Sequence, residues 1–210
     1  MDAREIYFRD VYPRLKPPVT ERYPLVSLRP GPGRTPLCKH KLLMVVALTG
    51  TGKSTALDIL SRRLGGGGLG VIPARREVAD WIAIPLAQHW SGHALAPAAD
   101  RVQRFAYTRR FAGRVEGGMA AAFSWLNLAA DYEGPLLSEG IRGDNEIRYA
   151  LTHFPRWRIV ELALHPLARL RRLSGRNETF DRAAGNADLS FLPLELRDEA
   201  AARLRAGEIS

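Results

Sequence analysis

Residues 47–55 read Ala47-Leu48-Thr49-Gly50-Thr51-Gly52-Lys53-Ser54-Thr55. The fold depends on what this stretch is. Glycines let a turn aim its backbone N–H groups inward at phosphate oxygens, and a following helix adds the positive end of its dipole. In such a loop a lysine reaches the β- and γ-phosphates, and the next hydroxyl helps to hold Mg²⁺. Here those residues are Lys53 and Ser54, with Thr49, Gly50, Thr51, Gly52 and Thr55 completing the cradle. The full pattern opens with glycine, and Ala47 stands there instead. A methyl group is tolerated at that point if its φ stays negative.

The flanks fit the motif. Residues 42–48 form a short continuous apolar run, expected of a strand buried on both faces. A helix is expected from about residue 52, with Ala56, Leu57, Leu60 and Leu64 at helical spacing, ended by the glycine run 65–68. Residues 69–72 then read as a short strand.

Further along, 77–84 suggests a helix broken near Pro85, and 98–115 a longer one with Pro97 near its start. Residues 119–130 read as helical, 135–139 and 159–164 as strands. Between those strands lies a helix over 145–152 with Asp144 as a candidate N-cap. Helices over 166–173 and 193–205 close the chain. Strands alternating with helices point to an α/β protein, three-layer α/β/α with a parallel central sheet.

Residues 1–40 differ in texture. Prolines at 13, 17, 18, 24, 30, 32 and 36 forbid a long helix or a central strand. The expectation is a proline-rich N-terminal extension ahead of a domain over 41–210. It is either packed onto the body through Tyr7, Phe8, Tyr12 and Tyr23 or left as a loosely ordered tail.

The 210 residues carry a net charge of +9, and lysine occurs only at Lys16, Lys39, Lys41 and Lys53. Such a balance favours nucleotides, other small anions or nucleic acid as partners, unless it reflects arginine use on a solvated surface. The arginines at 101, 104, 109, 110 and 114 would spread around a helix instead of forming a stripe, which weakens the nucleic-acid reading. No apolar run is long enough to span a membrane, and no signal-peptide pattern opens the chain. Cys38 alone allows no intrachain disulfide, which fits a cytoplasmic protein.

Other phosphate-loop classes lack their marks here. None of the four lysines sits in an Asn-Lys-x-Asp guanine-reading sequence, and Leu173-Ser174-Gly175-Arg176 only half matches a transporter-type signature. A ring-forming ATPase module needs a longer chain with a helical lid domain.

Three stretches resemble the nucleoside monophosphate kinase-like phosphate-loop kinases, across about residues 41–190. They are the loop through Thr55, then Leu136-Leu137-Ser138-Glu139-Gly140-Ile141-Arg142, then the strand at 159–164 with the helix and arginine-rich loop beyond it. The chain also resembles bacterial proteins described only as AAA-type or other ATPases, a likeness that supplies no substrate. The kinase resemblance implies ATP and Mg²⁺ as cofactors, a helical acceptor-binding insertion and an arginine-rich lid.

Under that resemblance Glu139 stands where such kinases often carry aspartate. It would orient Mg²⁺ or act as base toward an acceptor hydroxyl, against the simpler role of capping a helix or pairing with Arg142. Ser138 is a lesser candidate for the metal shell. Arg172 and Arg176 would stabilise the charge of the transferring phosphoryl group, with Arg169, Arg171 and Arg182 nearby. Arg75, Arg76, Arg101, Arg142 and Arg182 are candidates for gripping the acceptor, with Asp80, Asp100 and Arg110 as further polar groups. Trp81, Trp90, Phe105, Tyr107 and Trp125 would stack on a base or, more simply, fill a core. His89 and His93 are four apart, but without a metal-ligand pattern around them they read as loop or surface residues.

The implied activity is transfer of the ATP γ-phosphate to a small, nucleotide-like acceptor. Two alternatives stay open: a slow ATPase switch working through partners, and a kinase of nucleic-acid 5′ ends.

Overall fold

A computed structural model describes residues 2–15, 23–64, 70–174 and 197–198. The chain divides into two compact units, Met1–Val46 with Leu57–Val160, and Ala47–Ala56 with Glu161–Ser210. The division does not fall at residue 40. The lid arginines Arg176 and Arg182 and the helix expected over 193–205 lie outside the described residues, apart from a helical pair at 197–198.

The protein is mixed α/β. Among the described residues the first elements are α1 (Ala3–Ile6), a π-helical turn (Tyr7–Val11), a 3₁₀ turn (Tyr12–Arg14), β1 (Val26–Ser27) and β2 (Arg34–Pro36). A 3₁₀ turn (Leu37–Lys39), β3 (Leu42–Ala47), α2 (Lys53–Leu64) and β4 (Gly70–Val71) follow. Next come α3 (Arg75–Val78), a second π-helical turn (Ala79–Ala83), α4 (Ile84–Trp90), α5 (Arg101–Ala112) and α6 (Gly118–Ser124). The last are β5 (Asn127–Ala129), β6 (Leu136–Ser138), α7 (Asp144–His153), β7 (Trp157–Leu162) and α8 (Pro166–Ser174).

One sheet has the order β4-β6-β3-β7. Its strands β4, β6 and β3 are parallel, with Leu42 opposite Leu136 and Met44 opposite Ser138. Met44 and Val45 are buried between covered faces, as the apolar run predicts. No described helix is long and apolar enough to cross a membrane.

A second sheet corrects the reading of 119–130 as one helix. Helix α6 stops at Ser124, and Asn127–Ala129 is the central strand of an antiparallel sheet ordered β1-β5-β2. Val26 and Thr35 both lie opposite Leu128. The partners come from about a hundred residues upstream, so local periodicity carries no sign of this pairing. Asn127 is 1% exposed, and its side-chain amide donates to the Leu28 and Trp125 carbonyls, at 3.3 and 3.1 Å.

The same pairing makes the proline-rich segment part of the core. Tyr7, Val11, Leu28 and Leu37 are fully or almost fully buried, and Tyr7 packs on Trp125 at 5.8 Å between ring centres. Each such burial contributes about 1.5–3 kcal/mol relative to exposure. The packed alternative, not the loose tail, describes residues 2–15 and 23–40.

Pro85 does not break its helix. Residues 75–90 run on through the π-helical turn, with Pro85 in the first turn of α4. Proline has no N–H to give the carbonyl four residues back, which is Trp81. That carbonyl instead accepts a hydrogen bond from the buried Tyr7 hydroxyl at 2.7 Å. Burial pushes the Tyr7 phenol far up, so it stays a neutral donor.

Asp144 is not an N-cap. Gly143 holds that position, and Asp144, in the first turn, instead accepts from Arg148 at 2.6 Å.

Candidate functional site

The loop after β3 is built by two glycines. Gly50 and Gly52 have φ of +87° and +89°, a region open to glycine and costly for other residues. Between them Thr51 turns back, its hydroxyl donating to the Leu48 carbonyl at 2.9 Å. No described non-glycine residue has positive φ, so Ala47 meets the condition under which a methyl group is tolerated. Helix α2 begins at Lys53 with the Ser54 and Thr55 side chains exposed. The N–H groups of a first helical turn lack intrahelical acceptors and carry the positive end of the dipole.

Helix α8 belongs to the same unit and packs on this loop. A Cβ at Gly50 would lie 2.9 Å from Leu173 Cγ and 3.1 Å from Arg169 Cγ, and one at Gly52 would lie 2.9 Å from Arg172 Nη1. The Arg172 guanidinium donates to the Thr51 carbonyl at 3.2 Å. Of the arginines predicted near phosphate, Arg169 and Arg172 therefore stand against the loop.

Mg²⁺ takes one or two protein oxygens and fills its octahedron with phosphate and water, and the exposed Ser54 hydroxyl is one oxygen of that kind. No group of three His, Cys, Asp or Glu side chains converges among the described residues.

In the other unit, the segment after β6 is shaped by a buried carboxylate that the sequence reading missed. Glu146, 3% exposed, accepts from Arg75 through both oxygens, at 2.6 and 2.9 Å. It also accepts the backbone N–H of Arg142 at 2.7 Å and of Met119 at 3.2 Å. Arg75 in turn donates to the Gly140 carbonyl at 2.9 Å. This pair fixes the turn that carries Glu139, Gly140, Ile141 and Arg142. The signal was present in the spacing: Glu146 shares a helix face with buried Ala150, and a carboxylate on a buried face requires a cation.

Gly140 is required there by close approach, since a Cβ would fall 2.0 Å from the Phe123 ring. Ser138 Oγ is buried with no hydrogen-bond partner among the described residues.

The remaining candidates scatter. Arg75 is committed to Glu146, whereas Arg76 and Arg142 are exposed. Arg101 lies over the exposed Phe105 ring at 5.1 Å, and Asp100 caps α5 by accepting from the Gln103 N–H. Asp80 pairs with Arg104 at 2.7 Å, and Arg110 reaches the Trp90 carbonyl. Trp81, Tyr107 and Trp125 are core residues and Trp90 stacks on Phe111. His93 shares a hydrogen bond with the Tyr107 hydroxyl at 2.9 Å, and His89 lies 4.0 Å from Asp10.

No protein-family model matches the chain, and no curated protein matches its sequence.

Proposed function

We propose that the chain is an ATP-binding phosphotransferase of the phosphate-loop kind, resembling the nucleoside monophosphate kinase-like group. It moves the γ-phosphate to a small, nucleotide-like acceptor with Mg²⁺. The observation that carries this reading is the glycine turn at the carboxyl end of β3, two positive-φ glycines followed at once by a helix opening on Lys53.

The sheet order supports it. From β3 the chain goes out to β4 on one side, and from β6 it crosses to β7 on the other side of β3. The neighbouring parallel strands β3 and β6 thus send their following connections in opposite directions. Open α/β sheets bind ligands at the carboxyl ends of strands that diverge in this way.

In this reading the loop's backbone N–H groups and the Lys53 ammonium hold the β- and γ-phosphates, and Ser54 contributes a metal oxygen. Mg²⁺ would neutralise charge developing between the phosphates. Arg172 exchanges its hydrogen bond to the Thr51 carbonyl for the equatorial oxygens of the transferring group. In other enzymes such an arginine is worth about 10³ to 10⁵ in rate. Glu139 stays the carboxylate that the resemblance implies for Mg²⁺ or for the acceptor hydroxyl's proton.

The test is label transfer from γ-labelled ATP to a panel of nucleosides, nucleoside monophosphates, hydroxyl-bearing cofactor precursors and 5′-hydroxyl oligonucleotides. Acceptor-dependent transfer that vanishes in Lys53→Ala supports the reading. Hydrolysis alone, indifferent to every acceptor, contradicts it.

A further inference from the structure

A cavity of about 580 Å³ opens at the amino-terminal ends of β3 and β6, in the unit that excludes the phosphate loop. Its walls are residues 41–43, residues 133–136 and, at the start of β7, Pro155, Arg156 and Arg158. The volume falls within the range of small-molecule sites.

The backbone of these walls is held in place. Leu42 and Leu136 are paired across the sheet and almost fully buried, and the Leu42 N–H donates to the Arg156 carbonyl at 3.4 Å. Trp157, 2% exposed, anchors the third wall, its indole N–H donating to the Leu37 carbonyl at 3.4 Å.

The charged side chains on this frame are Lys41, Arg156, Arg158 and Glu133, all exposed. Both guanidiniums are tethered through Nη1. Arg156 Nη1 donates to the Lys39 carbonyl at 2.8 Å, and Arg158 Nη1 to the Pro155 and Trp157 carbonyls at 3.0 and 3.1 Å. The Nε–Nη2 edge of each keeps no acceptor among the described residues. That edge is a fork able to grip phosphate or carboxylate through two parallel hydrogen bonds. No described carboxylate is in ion-pair range of Lys41, Arg156 or Arg158. Elsewhere in this unit Arg9, Arg75 and Arg104 each have an acidic partner.

Like charges gathered without counter-charge repel one another, and an anion seated among them relieves the repulsion. Three positive charges against Glu133 leave a balance of +2 in the cavity. That balance matches a dianion, whose oxygens would accept from the two free guanidinium edges and from Lys41. A cation is repelled there, and a neutral ligand gains no charge neutralisation.

We propose that this cavity is an anion site separate from the phosphate loop, taking a small dianion of the phosphate class, as the free ion or as a phosphomonoester. None of its groups belongs to the loop, so this proposal and the phosphotransferase reading fail independently.

The probes are inorganic phosphate and glycerol phosphate, at constant ionic strength, on the full chain. Lysine acetylation read by mass spectrometry separates the two places, because Lys41 marks the cavity and Lys53 the loop. Either probe should slow acetylation of Lys41 severalfold, in wild type and in Lys53→Ala alike, and the tighter probe tells the free ion from the ester. The wild-type footprint needs no substitution in the cavity, so it holds even if a variant unfolds. Calorimetry in the Lys53→Ala background then measures the cavity's own affinity. There Arg158→Gln should weaken binding about tenfold, the loss expected for charge-assisted hydrogen bonds. Glu133→Gln should tighten it by removing the opposing charge. Lys41 acetylation unchanged by both probes at millimolar concentration would overturn the proposal. So would protection that disappears in Lys53→Ala, unchanged affinity in Arg158→Gln, or weaker binding in Glu133→Gln.

Discussion

The turn after β6 and the loop after β3 use their polar groups in opposite ways. Around Glu146 every stated partner is internal: Arg75, the Arg142 and Met119 N–H groups, and through Arg75 the Gly140 carbonyl. In the loop, Ser54 and Thr55 are exposed, and the helix start presents N–H groups with no acceptor in their own helix. The first arrangement holds a backbone in place. The second leaves binding capacity for something else. Substitutions in the first region should therefore move stability, and those in the second should move ligand binding at constant stability.

The largest expected effect on stability is at Gly140. Alanine there meets the Phe123 ring at a distance no neighbour can absorb without shifting. Gly140→Ala should lose about 3 kcal/mol or more in denaturant unfolding, beyond the usual overpacking cost. Glu146→Ala comes next. It leaves Arg75 without its partner and two backbone donors without an acceptor, and should cost about 3 kcal/mol. The figure is set at the low end for broken buried pairs because the Arg75 side chain is 27% exposed. If either variant kept wild-type stability and lost only nucleotide binding, the contrast between the regions would collapse.

Tyr7→Phe sharpens the same comparison at smaller scale. It removes the hydroxyl that serves the Trp81 carbonyl left over by Pro85, and should cost about 1–3 kcal/mol. The measurement is again denaturant unfolding, and an unchanged midpoint would mean that another group reaches that carbonyl. Arg172→Ala should be smallest in stability, within about 0.5 kcal/mol as for other exposed positions, while lowering phosphoryl transfer by orders of magnitude.

What the sequence revealed follows the reach of its signals. The loop, β3, β6 and α8 are encoded within a few neighbouring residues, through glycine spacing, apolar runs and helical periodicity, and the structure has them close to where they were expected. Strand β5 was read as helix because its partners, Val26 and Thr35, are far away in sequence. Pro85 was read as a break because the π-helical turn before it and the Tyr7 hydroxyl that serves Trp81 are both tertiary accommodations. Arg75 looked like an acceptor contact because its partner, Glu146, lies 71 residues away. In each case a distant partner set a use that the local pattern does not carry.

The central claim is that the loop through Lys53 binds nucleotide, and direct titration of ATP with Mg²⁺ into wild type and Lys53→Ala tests it. The account predicts saturable binding by wild type and loss of at least about tenfold in affinity for Lys53→Ala, with identical unfolding curves for the two proteins. Equal ATP binding by both, or none by wild type at millimolar nucleotide, would contradict it.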